Sequence, residues 1–196
     1  PVALKPEKSK SADITFGLYG LEATYFTNST KDLIEYVYQP WPTPYYYENA
    51  DKEVETDGIE LSYKRSFDAI QTDLNFNYTW LSARNSDGDL LKYRPERTAT
   101  IGLDYYGLAK THLGLETRYV GKVYSLDDKQ GVQFGEYFVT DLIADYQVNS
   151  SLNLYAKIIN ITDSDYTESV ASATDDKADY VYSNGGRQFF IGIRSK

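Results

Sequence analysis

The chain has 196 residues, and its 20 Lys and Arg against 29 Asp and Glu give a net charge of −9. This length allows one domain or at most two, and the negative balance argues against a nucleic-acid-binding protein, whose affinity depends on basic side chains. With no Cys and one His, a disulfide scaffold, a thiolate zinc site and a cysteine nucleophile are excluded, and most His-based chemistry with them.

Apolar and polar residues alternate along most of the chain, which predicts β-strands with one apolar face. The clearest example is residues 73–80, where Leu74, Phe76, Tyr78 and Trp80 share one face. Nine strands are predicted, at about 12–19, 21–38, 46–66, 70–84, 92–106, 110–124, 137–148, 152–162 and 186–195. Several of them reach the ~9–11 residues that cross a membrane at a tilt.

The connections between the predicted strands alternate in length. Tight turns are predicted at Gly20, 66–69, 107–109 and 149–151, and longer loops at 39–45, 85–91, 125–136 and 163–185. Short turns on one side and long loops on the other are typical of an outer-membrane β-barrel. A Greek-key sandwich has no reason to sort its loops in this way.

The chain contains 20 Tyr, many of them near predicted strand ends. In membrane barrels, amphipathic rings at these positions form aromatic girdles at the two lipid–water interfaces. The girdle is predicted to include Tyr105, Tyr106, Tyr119, Tyr124, Tyr137, Tyr146 and Tyr166. Tyrosine is also a good strand former, so its abundance supports the barrel without requiring it.

Six short motifs, taken in order, resemble TonB-dependent outer-membrane receptors. They lie at 4–9, 57–60, 77–84, 93–95, 160–166 and 185–189. The chain is thus similar to the C-terminal part of the receptor β-barrel, and its compact loops look most like the vitamin B12 receptor branch. The motifs have structural roles: Pro6 and Pro95 lie where no ladder bond is lost, and Asn160 closes a turn.

The resemblance implies an all-β, antiparallel transmembrane barrel portion, with about nine strands of a larger barrel of about 22. Residues 1–196 would form the C-terminal part of that barrel, with the plug domain and N-terminal strands absent from this chain. The lack of Met indicates that this chain is processed or is part of a longer polypeptide. Family members usually end on an aromatic residue, whereas this chain ends Ser195–Lys196.

The resemblance also implies a function, an active-transport receptor in the bacterial outer membrane. The ligand would be a scarce metal complex, cobalamin or a ferric siderophore, and the TonB system would act through the missing plug. Neither a nucleic-acid partner nor a cofactor is expected. The sequence contains no Gly-x-Ser-x-Gly motif and no Cys–His pair, so we predict that the protein is not an enzyme.

His112 is the single histidine and falls on a predicted polar face with Glu116 and Arg118. Without a second nearby ligand, it is interpreted as a residue of the barrel lumen or a turn. Acidic pairs such as Asp127–Asp128 lie in predicted loops and do not follow an EF-hand order, so we interpret them as solvated charge. No metal site is predicted.

The aromatic loop at 40–47 is the most suggestive functional feature. Its prolines stiffen the chain, and its rings offer flat apolar surface suited to a large rigid metal complex. The predicted substrate-binding residues are Trp41, Tyr45, Tyr46, Tyr180 and Tyr182. An equally physical alternative is that residues 45–47 begin the third strand and belong to the outer girdle.

Two other functions remain open at this point. One is a surface binding or adhesion protein that uses the same barrel scaffold without transport, and an upstream TonB box would distinguish it. The other is a secreted all-β carbohydrate-binding module whose tyrosines stack on sugars. Solubility without detergent would favour that module.

Overall fold

The computed structural model describes residues 3–37, 42, 45–173, 177–183 and 185–195. Within these residues the chain forms thirteen strands. They are β1 (Lys8–Leu18), β2 (Leu21–Lys31), β3 (Ile34–Val37), β4 (Tyr46–Asn49), β5 (Val54–Phe67), β6 (Thr72–Asn85), β7 (Arg97–Leu108), β8 (Thr111–Tyr124), β9 (Gln133–Asn149), β10 (Leu152–Ile159), β11 (Thr167–Ala173), β12 (Ala178–Ser183) and β13 (Gln188–Ser195). Among the described residues, no helix is long and apolar enough to span a membrane.

Nine of these strands form one sheet in the order β1-β2-β5-β6-β7-β8-β9-β10-β13. Every neighbouring pair in it is antiparallel. The remaining four strands form two separate hairpins, β3–β4 and β11–β12. The predicted fold class, an antiparallel portion of a barrel, is confirmed.

The register keeps one face of the main sheet apolar across its width. One row of cross-strand neighbours on this apolar face runs Leu74, Leu103, Leu115, Leu142, Ile158 and Phe189. A row on the other, polar face runs Lys64, Asn75, Gly102, Glu116 and Asp141. Ile14 and Ile191 on the apolar face are 71% and 89% exposed, as expected of side chains that contact lipid.

The alternation of short and long connections is present as predicted. The β1–β2 turn has positive φ at both central residues, 51° at Tyr19 and 86° at Gly20, the geometry of a type I′ turn. A Cβ at Gly20 would lie 2.4 Å from the carbonyl oxygen of Lys64, so only glycine fits there. We call this side of the sheet the short-turn end and the other the long-loop end.

Four predicted boundaries are wrong, and each has a local cause. The predicted strands 21–38 and 46–66 both divide, because Asp32 (φ 56°) turns the chain out of β2 into the separate β3–β4 hairpin. The predicted strand 92–106 begins only at Arg97, since Tyr93 has φ 55° and its N–H bonds to the carbonyl of Tyr124. The predicted loop 163–185 contains the β11–β12 hairpin.

The predicted tyrosine girdle is wrong for three of its members. Tyr106 stacks on His112 on the polar face, with ring centroids 4.9 Å apart. Tyr166 is 6% exposed and packs on Tyr137 with centroids 4.3 Å apart. Tyr137 and Tyr166 thus pack within the protein, and Tyr106, although 49% exposed, stacks on a residue of the polar face. Tyr105, Tyr119 and Tyr146 follow the apolar face.

A small buried core lies at the long-loop end. It consists of Val123, Phe134 and Val170, with Val120 and Ala178 packed against it. The core joins β8 and β9 of the main sheet to the β11–β12 hairpin. It therefore holds this hairpin against the sheet.

Candidate ligand-binding site at the long-loop end

Two of the long connections carry the aromatic residues predicted to bind a ligand. The β3–β4 hairpin lies between β2 and β5, and the β11–β12 hairpin between β10 and β13. Six strands of the main sheet separate the two. The predicted residues thus belong to two regions on the same end of the sheet.

Three tyrosines of the first region form a group that we call the tyrosine cluster. The ring of Tyr36 lies 5.6 Å from that of Tyr45 and 5.3 Å from that of Tyr47, measured between centroids. These spacings are those of favourable tilted aromatic pairs. The three side chains are 53%, 55% and 56% exposed, so their outer surfaces are open to a ligand.

The cluster contains one of the predicted residues in this hairpin. Tyr45 belongs to it, whereas Tyr46 pairs with Val37 and points to the other side of the strand. Trp41 lies outside the described residues. Tyr36 and Tyr47 were not predicted. The strand period of two places Tyr47 on the same face as Tyr45, whereas the contact with Tyr36 depends on the hairpin register.

Asn49 fixes the base of the hairpin. Its side-chain NH₂ donates to the carbonyls of Asp32 and Lys5, at 2.6 and 2.9 Å. Its Oδ1 accepts a 2.7 Å hydrogen bond from the backbone N–H of Lys5. One amide side chain therefore ties the hairpin to the segment preceding β1, which orients the tyrosine cluster relative to the sheet.

Tyr180 and Tyr182 both lie on β12, opposite Ala171 and Ser169 of β11. They are 61% and 55% exposed. Residues two apart on a strand share a face, so the two rings lie side by side on one surface of the hairpin. The structure brings this predicted pair together.

A hydrogen-bonded turn anchors the first leg of the β11–β12 hairpin. The Asn160 side chain is 1% exposed; its Oδ1 accepts from the N–H of Ser164 at 3.0 Å, and its Nδ2 donates to the Ser164 carbonyl at 2.9 Å. Asp163, which precedes β11, accepts a 2.8 Å hydrogen bond from the backbone N–H of Arg187, which immediately precedes β13. The motif at 160–166 therefore closes the base of the hairpin.

The other two long loops are joined to each other. Asp127 accepts a hydrogen bond from the N–H of Lys92 at 2.8 Å, and the N–H of Asp128 donates to the carbonyl of Leu90 at 2.7 Å. Lys129 forms a 3.0 Å ion pair with Glu96. These contacts join the loops 86–96 and 125–132 into a rim between the two hairpins.

His112 lies on the polar face toward the short-turn end, as predicted for that face. Its Nε2 is 2.7 Å from Asp104 Oδ1, and its Nδ1 is 3.4 Å from Asp145 Oδ2. The two carboxylates contact opposite edges of the ring, so they do not converge on one point. In the described part of the chain, no three His, Cys, Asp or Glu residues are grouped to hold a metal ion.

The sheet, its faces and its connections define a portion of an outer-membrane β-barrel. The family model described as "TonB dependent receptor-like, beta-barrel" matches residues 1–161, and the chain belongs to this family. It therefore resides in the bacterial outer membrane. Membership removes the secreted carbohydrate-binding module from the alternatives.

Several solved receptors have the same fold. The ferric-catecholate import receptor Fiu of E. coli K12 superposes with a TM-score of 0.76 at 20% identity, over 100% of this chain and 28% of Fiu. The copper transporter OprC gives 0.75 at 20% identity, over 99% and 33%. The ferric enterobactin receptor PfeA of Pseudomonas aeruginosa gives 0.71 at 23% identity, over 95% and 31%. The chain thus spans about a third or less of each neighbour.

Proposed function

We propose that this chain is the C-terminal part of the barrel of a TonB-energised receptor that imports a scarce metal complex. Membership of the TonB-dependent receptor family carries the proposal. On this account the long-loop end captures the ligand, and the TonB system acts on a plug contributed by the rest of the polypeptide. The polar face of the sheet then lines the path.

A ferric siderophore is the better-supported ligand. The solved neighbours include receptors named for ferric-catecholate and ferric enterobactin, and aromatic siderophores stack well on exposed tyrosine rings. The tyrosine cluster, with Tyr180 and Tyr182, supplies such surface at the long-loop end. Cobalamin and the vitamin B12 branch, which the compact loops of the sequence favour, are the alternative ligand and branch.

Growth of a strain that lacks the full-length receptor tests the ligand class. The strain is supplied with one iron source at a time, in parallel with cobalamin-dependent growth. We expect the gene to restore growth on one or more ferric siderophores and to leave cobalamin-dependent growth unchanged. If the gene restored only cobalamin-dependent growth, the receptor would be assigned to the vitamin B12 branch instead.

A surface binding or adhesion protein on the same scaffold is the second candidate, because an exposed aromatic surface suits adhesion as well as import. The two functions differ in their need for energy. Ligand that is bound but not accumulated in TonB-competent cells would favour the binding protein.

A further inference from the structure

The net negative charge of the chain is concentrated in its four long connections, 32–53, 86–96, 125–132 and 160–187. Counted from the sequence, these connections hold 16 of the 29 acidic residues and 6 of the 20 basic ones, a net charge of −10. The rest of the chain has a net charge of +1 and is therefore almost neutral. The long-loop end, where a ligand would enter, is thus strongly electronegative.

The charge is greatest in the two connections that form the hairpins. Residues 32–53, which include the β3–β4 hairpin, contain five acidic residues and one basic residue. Residues 160–187, which include the β11–β12 hairpin, contain six acidic residues and two basic ones. Each of these connections carries a net charge of −4, whereas each of the two loops of the rim carries −1. The exposed tyrosines of the candidate site therefore lie in the most acidic parts of the chain.

Two exposed glutamates flank the tyrosine cluster. Glu35 precedes Tyr36, Glu48 follows Tyr47, and the register places the two glutamates directly opposite each other. They point to the other face of the hairpin, but their carboxylates lie within roughly 10 Å of the rings, about one Debye length. Like charges in such a pair repel each other, and neither glutamate has an ion-pair partner among the described residues. A cation bound at this hairpin would relieve the repulsion.

The basic side chains of the long connections offer little to an anionic ligand. Half of the six form ion pairs with acidic residues of the same connections: Lys52 with Asp87 at 2.6 Å, Lys129 with Glu96 at 3.0 Å and Arg187 with Asp163 at 3.9 Å. The tyrosine rings act in the same direction as the carboxylates, because the face of an aromatic ring is negative and attracts a cation. Charge and aromatic surface therefore both favour a cationic group on the ligand.

We propose that the receptor selects a ferric complex that carries a positively charged side group, such as an ammonium, over neutral and anionic complexes of the same kind. The inference rests on the proposed import of a ferric siderophore and adds the charge of that ligand. Hydroxamate siderophores fit it, because their hydroxamate groups just neutralise iron(III), so a free amine makes the whole complex cationic. A catecholate complex keeps a large negative charge, which the long-loop end repels.

Binding and uptake by whole cells that carry the full-length receptor test the inference. The probes are a linear ferric trihydroxamate with a free terminal amine and its acetylated and succinylated derivatives, which share the iron centre and differ only at that group. We expect Kd to rise from the ammonium form to the acetylated form and again to the succinylated form, by about tenfold over the series. A ferric tricatecholate should bind more weakly than any of the three.

Two matched variants test the contribution of the glutamates. E35Q/E48Q removes the opposed carboxylates, keeps their size and relieves their repulsion, so it should fold at least as well as the original protein. It should lower the ratio of the affinities for the ammonium and succinylated forms about threefold. E22Q/D68N removes the same charge from exposed positions at the short-turn end and should leave this ratio unchanged.

The outcomes distinguish this inference from the proposed function. Equal affinities across the series, tightest binding of the succinylated form, or uptake of the catecholate complex alone would overturn the charge preference and leave siderophore import intact. An affinity ratio in E35Q/E48Q equal to that of the original protein would overturn selection by charge at this hairpin. If cells accumulated none of the ferric complexes, whatever their charge, the proposed function would fail and this inference with it.

Discussion

The imidazole Nε2 of His112 lies 2.7 Å from Oδ1 of Asp104, an adjacent-strand contact on the polar face of the sheet. The Tyr106 ring stacks on the imidazole of His112, with an angle of 18° between the two ring planes. Asp73 lies across from Asp104 on β6, one strand farther from His112. The two aspartates therefore differ in what they contribute to the fold.

Asp104→Ala is expected to destabilise the barrel. It removes the closest partner of His112, and a hydrogen bond to a charged group at a half-exposed site contributes about 1 kcal/mol. The free energy of unfolding in denaturant, measured on the full-length protein in lipid, reports the loss. Asp73→Ala is the control and should be neutral or slightly stabilising, since it relieves a like charge opposite Asp104. Equal losses for both variants would contradict the contact.

Leu103→Arg is expected to cost roughly 2–4 kcal/mol, because it places a guanidinium on the lipid-facing side near mid-membrane. Leu103 lies between Leu74 and Leu115 on the apolar face. Asn77→Arg, on the polar face between Ser62 and Thr100, should have little effect. Folded yield and unfolding free energy check both, and similar tolerance at the two positions would reverse the assigned faces.

Tyr36→Ala is expected to weaken capture of a ferric siderophore by about tenfold. Tyr36 contacts both Tyr45 and Tyr47, so its removal disrupts the cluster, and aromatic anchors contribute about 1–2 kcal/mol. Binding to whole cells measures the effect. Tyr19→Asn, at the opposite end in a left-handed turn that Asn tolerates, should bind normally. Unchanged binding by Tyr36→Ala would exclude the cluster from the site.

Asn160→Ala is expected to loosen the β11–β12 hairpin. It deletes the paired bonds to Ser164 and forces alanine into a left-handed conformation, φ 53°, at a combined cost of about 2–3 kcal/mol. Limited proteolysis should cleave within 163–187 sooner. Asn160→Gly accepts the backbone conformation, so any faster cleavage of that variant measures the side-chain bonds alone. Cleavage of both variants at the original rate would show that the hairpin is held by other contacts.

The main sheet follows from a local signal, the period of two, and this is why nine strands and the alternating connections were predictable. The two hairpins were missed because β3 has only four residues and β11–β12 lies in a Ser- and Asp-rich stretch with weak alternation. His112 could be assigned to its face, but its partners lie on β7 and β9. Finding them needs the register of two strand pairs.

The candidate site was predictable in part. Aromatic richness and prolines identified the loop that contains Tyr45, and alternation alone would have paired Tyr45 with Tyr47. The contact with Tyr36 depends on where the hairpin turns, which residue types in the loop do not determine.

Uptake of iron supplied as a ferric siderophore tests the central claim most directly. Cells that carry the full-length receptor are compared with a TonB-deficient strain that displays the same amount of receptor. We predict that both strains bind the complex and that only the TonB-competent strain accumulates radiolabelled iron beyond the number of receptors. Equal accumulation in the two strains, or binding without accumulation in either, would contradict energised import.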